Sequence, residues 1–134
     1  YKKIQIESRV LGDLCMNHII PVATKYQSVL ADNVHKLQAA FSDPAKVKEL
    51  TAYNITLIEK INKHTSFIAD NVEAMVEKRK VVNKNEDIRT LAVAYHDEVA
   101  PYLDAIRYHI DKLELIVEDD MWTLPKYREL LFIR

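Results

Sequence analysis

One set of positions recurs through the middle of this chain at alternating steps of three and four: Val47, Leu50, Asn54, Leu57, Ile61, His64, Ile68, Asn71 and Met75. That spacing marks one face of an α-helix, and Ile58, Val72 and Val76 widen the stripe. A later segment repeats the pattern with Ile88, Leu91, Tyr95, Val99, Tyr102, Ile106, Ile110, Leu113 and Val117. An earlier one is less regular, carrying Val10, Leu14, Val22, Tyr26, Val29, Leu30, Leu37 and Phe41. Two stretches separate the three. In Phe41-Ser42-Asp43-Pro44, Asp43 can cap a helix whose first turn holds Pro44. In Val82-Asn83-Lys84-Asn85, Asn85 is the candidate cap, Glu86 and Asp87 suit the start of the next helix, and Lys78, Arg79, Lys80 and Lys84 suit the end of the previous one.

The segments therefore span roughly 2–41, 44–82 and 86–119, each about 50–60 Å long as a helix. Three long amphipathic helices with short connections predict an all-α fold, an antiparallel bundle forming one domain over residues 1–134. Pro21 and Pro101 fall inside the first and third helices, where each removes a backbone donor and is expected to kink or split its helix. The stretch from Trp122 to Arg134 predicts a short fourth helix, entered at Thr123 or Leu124 with Pro125 just inside.

Composition narrows what such a bundle can do. Gly12 is the one glycine in 134 residues, where average usage predicts roughly nine. Phosphate-cradling loops and dinucleotide fingerprints need several. Within its helix, Gly12 is expected to allow close packing or a local bend. A net charge of −1 favours neither nucleic acid nor an anionic membrane. One cysteine, Cys15, permits no internal disulfide and fits a reducing compartment. No apolar run approaches the ~18 residues of a membrane span, and no signal peptide precedes the first helix. The start at Tyr1, without methionine, fits a processed protein or a piece of a longer one.

The chemistry-bearing residues form no active site. A di-metal bundle site needs two Glu-x-x-His pairs and further carboxylates; the one related spacing is Asp32 to His35, and His64 lies on an apolar stripe as a hydrogen-bonded core or boundary residue. Asp97, Asp104, Asp111 and Glu118 recur every seven residues as a solvated face, with Arg107 in reach of Asp104 and Asp111. Cys15 and His18 stand three apart, but no third group orients them and no oxyanion hole accompanies them. Lys78-Arg79-Lys80 reads as a helix end, without the interleaved aromatics that stack bases. No residue is assigned as catalytic, cofactor-binding or metal-ligating.

Read as a string, the stretch Tyr102–Arg134, with its ending Trp-Thr-Leu-Pro-Lys-Tyr-Arg-Glu-Leu-Leu-Phe-Ile-Arg, closely resembles the C-terminus of type III glutamine synthetases. Ile6-Glu-Ser-Arg-Val-Leu-Gly-Asp-Leu14, Asn17-His-Ile-Ile-Pro21, Lys25-Tyr-Gln27 and Ala74-Met-Val-Glu77 are similar to the same family's terminal helical region. The resemblance implies a parent that is a glutamate–ammonia ligase, making glutamine from glutamate and ammonia with ATP and Mg or Mn, in large double-ring oligomers of the cytoplasm. Its nucleotide, metal and glutamate ligands belong to a catalytic domain for which this chain has no matching string. The chain is thus expected to be a non-catalytic helical domain with no cofactor of its own. Its expected partners are the catalytic domain of the same polypeptide and neighbouring subunits. Trp122, Leu124, Tyr127, Leu130, Leu131 and Phe132 either dock there or close the end of the bundle. The rival expectation is a free-standing adaptor or sensor bundle that holds a partner helix in a groove. A third is a small-molecule site between helices near Pro21 and Pro101.

Overall fold

A helix begins where some side chain can satisfy its first free N–H groups. Asp43 does this for the second of three helical rods, its Oδ1 accepting from the Ala45 N–H at 3.1 Å with Pro44 in the first turn. The third rod begins later than the expected Asn85 cap. Asp87 caps it instead, Oδ2 accepting from both the N–H and the hydroxyl of Thr90 at 3.0 and 2.8 Å. Asn85 serves the preceding helix, donating from Nδ2 to the Val82 carbonyl at 2.9 Å. The division follows from chemistry: a carboxylate only accepts, which suits a helix start, while an amide can donate to the bare carbonyls at a helix end.

A computed structural model describes residues 1–118 and 121–122. In order they form α1 (Lys2–Leu14), a π turn (Cys15–Ile19), α2 (Ile20–Ala40), α3 (Pro44–Val82), α4 (Ile88–Ala94), a second π turn (Tyr95–Val99) and α5 (Ala100–Ile116). No strand occurs among the described residues. The described residues are all-helical, in three rods spanning 2–40, 44–82 and 88–116. The fourth helix expected after Trp122 lies outside the described residues.

Neither proline splits its rod. The Ile20 N–H bonds to the Cys15 carbonyl and the Ala100 N–H to the Tyr95 carbonyl, five residues back in each case. Pro21 and Pro101 follow immediately, in the first turn of α2 and α5. A proline in a regular helix lacks a donor and presses its ring on the carbonyl four residues earlier; a turn widened by one residue relieves that crowding while the helix continues.

The extra residue moves the buried face. In the third rod the buried series is Tyr95, Val99, Leu103, Ile106, Ile110, Leu113 and Val117, so two successive steps of four straddle the π turn. Tyr102, expected in the stripe, is half-buried, and Leu103 takes its place. The first rod shows the same shift at Cys15, Ile19 and Ala23, and its seam uses small residues: Ser8, Gly12, Cys15 and Ala23. The larger Val10 and Val29, expected inside, are 59% and 50% exposed. In the second rod Ile61, Ile68, Val72 and Met75 are buried, whereas Leu50 is 39% exposed. His109 of α5 meets His64, and α5 ends at Ile116, so the first turns of α3 lie beyond its reach. Trp122 packs against this core.

Candidate functional site

Polar side chains join the rods at separate places, and these are the candidates for function. His64 and His109 bring their Nδ1 atoms to 2.8 Å between α3 and α5. Phe67 stacks on the His109 ring with centroids 3.7 Å apart, and Tyr108 meets its edge. Burial first, then the charge of His109 and of Lys63, Lys112 and Lys60, holds His64 below the usual imidazole range. Burial and Lys63 do the same to His109. The apolar stripe marks His64 as a core or boundary residue with a hydrogen bond to make, and it is half-buried. Its partner was not singled out, although His109 stands beside Ile110 and three residues after Ile106.

The second place lies toward the end of α3. Arg79, expected as part of a basic helix end, turns inward. Its Nη1 donates to Ser8 Oγ at 3.3 Å, and its Nε is buried without a partner. Ser8 is fully buried and donates its own proton to the Gln5 carbonyl at 2.8 Å. Tyr95, also fully buried, donates its hydroxyl to Asn83 Oδ1. Sequence reasoning missed Ser8 because a serine on α1 is ordinarily read as a surface residue. Lys78 and Lys80 do face outward, paired with Glu98 at 3.8 Å and Glu77 at 3.1 Å.

The other residues weighed from sequence do not converge. Cys15 is fully buried, and burial pushes its thiol up to about 12, so it is no nucleophile; His18 is exposed. Asp32 pairs on the surface with Lys36 at 3.4 Å. Asp97, Asp104 and Glu118 are exposed, and Asp97 meets His96 at 3.0 Å. Arg107 reaches across to Glu7 of α1 at 3.5 Å, a cross-rod pair, while its charge is also felt by Asp111. Partial burial raises the Asp111 carboxyl, against the lowering charges of Arg107 and Lys112. An open depression of about 490 Å³ lies beside the second π turn, lined by Arg89, Thr90, Val93, Ala94, Asp97 and Glu98.

Among the described residues, no three histidine, cysteine or acidic side chains stand together in a way that could hold a metal ion. Nor is any described helix long and apolar enough to cross a membrane.

Residues 1–38 match the family model described as glutamine synthetase C-terminal domain. Over 132 residues the chain is 46% identical to a glutamine synthetase of Bacteroides fragilis (strain YCH46), covering 98% of this chain and 18% of that protein. It is 28% identical over 146 residues to a type-3 glutamine synthetase of Dictyostelium discoideum, covering 99% of this chain and again 18% of the relative. The chain thus spans less than a fifth of the length of the curated relatives it matches.

Proposed function

We propose that this chain, which belongs to the glutamine synthetase family as its C-terminal domain, is a non-catalytic support that helps a larger ligase assemble. The observation that carries the reading is the coverage: almost all of this chain aligns with 18% of each relative. Glutamate, ammonia, ATP and Mg or Mn are then the business of the remaining polypeptide. The partners of the helical domain are that catalytic part and neighbouring subunits. A buried, unreactive Cys15 fits a reducing, cytoplasmic setting.

The support is an antiparallel bundle in this reading. Ser8 with Arg79 and Gln27 Nε2 with the Ile58 carbonyl run the first rod against the second; Asn83 with Tyr95 and His64 with His109 run the second against the third. The widened turns before Pro21 and Pro101 are where each outer rod bends. Of the six proposed docking residues, Trp122 is 8% exposed, which favours closing the bundle; Leu124, Tyr127, Leu130, Leu131 and Phe132 lie outside the described residues.

Two measurements test the proposal. The purified chain is expected to show no ATP-dependent γ-glutamyl transfer, and activity above blank would overturn the non-catalytic reading. Deleting the region from the parent is expected to leave an enzyme of smaller assembly size. An unchanged oligomer by size exclusion with light scattering would count against support.

A further inference from the structure

We infer that His64 and His109 form a two-imidazole site for a divalent transition-metal ion of the copper type, bridging α3 and α5. Each ring comes from a different rod, and the two Nδ1 atoms stand 2.8 Å apart. Imidazole nitrogens bind such ions at about 2.0–2.1 Å, so two of them at right angles around one ion stand about 2.8–3.0 Å apart. Two corners of a tetrahedral shell would stand about 3.3–3.4 Å apart. The observed spacing therefore matches neighbouring corners of a square or octahedral shell, which copper(II) and nickel(II) adopt and structural zinc does not. Copper(II) also heads the affinity order for nitrogen ligands.

The neutral pair can bind without losing a proton. One ring donates its Nδ1 proton to the other; moving that proton to its own Nε2 leaves both Nδ1 lone pairs for the ion. The Cβ–Cγ torsion of histidine is soft, so the lone pairs can turn from each other to a shared point beside them. Phe67 stacks on the His109 ring, centroids 3.7 Å apart, and steadies it, so most of that turn falls to His64. Both rings are half-buried, which leaves a side open for water to complete the shell. Among the described residues no third histidine, cysteine or acidic side chain stands with them. Lys63 precedes His64, Lys60 stands one turn before it and Lys112 three residues after His109, so positive charge surrounds the pair. Two ligands and a repelling surround make an exchangeable site, unlike the closed four-ligand sites that hold a fold together.

Titration of the 134-residue chain with copper(II) in a weakly coordinating buffer, followed by calorimetry and electron paramagnetic resonance, tests the site. The amino terminus is acetylated throughout to remove a competing ligand. The strongest step is expected to take one ion per chain, with hyperfine coupling to two nitrogens. His64→Gln and His109→Gln should each weaken that step about tenfold or more, since losing a ligand costs at least what losing a supporting partner does. His18, His35 and His96 are exposed, so replacing all three by glutamine should spare both the fold and the strongest step. That triple variant carries the test if a variant of the pair fails to fold. Loss of the step in the triple variant, coupling to a single nitrogen, or an unchanged step in both variants of the pair overturns the proposal.

Discussion

His64 and His109 face each other Nδ1 to Nδ1 at 2.8 Å across the contact of α3 with α5, a spacing that requires one ring to donate and the other to accept. With both rings protonated, neither nitrogen can accept. The cations around the pair, Lys60, Lys63 and Lys112, add to that penalty, and no described carboxylate forms an ion pair with either ring.

Stability should therefore depend on pH through this pair. Both imidazoles are held below the ordinary imidazole range in the folded chain, while the unfolded chain titrates at about 6.5. The contribution is complete above about pH 6.5. It is lost as pH falls below that value and through the lower folded values, because the unfolded state takes up protons that the folded state resists. Melting temperatures recorded from neutral to mildly acid pH should fall, and His109→Gln should flatten the slope. Equal slopes in the two proteins would remove the pair as the cause.

Gly12→Ala should stabilise the chain. An added Cβ would meet Val72 Cγ1 at 3.5 Å and Met75 Cε at 3.8 Å, ordinary contacts that need no shift. The expected close-packing role is therefore not what the geometry requires. Alanine in a helix interior is worth about 0.5–1 kcal/mol over glycine, read as a higher urea midpoint. A lower midpoint would show that the site has less room than the backbone offers.

The π turn in the third rod should matter more than the proline it accommodates. Pro101 is exposed, so Pro101→Ala is expected to change stability by less than about 1 kcal/mol. Deleting Asp97 in that background restores a regular helix and rotates everything beyond by about 100°. Leu103, Ile106 and Ile110 then leave the core. Loss of a cooperative thermal transition is the expected readout, and a cooperative transition near the parent's would refute the role given to the extra residue.

Cys15 should resist alkylation. Its thiol is fully buried and pushed up to about 12, so iodoacetamide at mildly alkaline pH should label it only after urea unfolding. Mass spectrometry showing fast labelling of the folded chain would place the thiol outside the core.

The helical class and the three rods were legible because large apolar residues at helical spacing dominate the second and third segments. The seam of the first rod was not, since Ser8, Gly12, Cys15 and Ala23 carry little hydrophobicity and are buried for their size. The switch from Tyr102 to Leu103 was hidden for another reason. A constant alternation of three and four cannot represent one added residue, and only the paired fours at Tyr95, Val99 and Leu103 disclose it. The polar cross-links were half legible: His64 announced itself by interrupting an apolar stripe, but nothing local connects Ser8 to an arginine 71 positions later. Asp87 displaced Asn85 as cap because a carboxylate suits the free N–H groups of a helix start, while the Asn85 amide donates to the end of the helix before it.

The two widened turns also bear on how the rods choose their alignment. A uniform alternation of three and four looks the same after a slide of seven residues, so regular helices can settle into several competing alignments. Cys15–Ile19 and Tyr95–Val99 each occur once in their rods and break that translational sameness. A rod slid by seven would set its one irregular turn against the wrong partners. What began as an accommodation of Pro21 and Pro101 becomes a pair of fixed stops, which leaves the chain one alignment in which every rod fits.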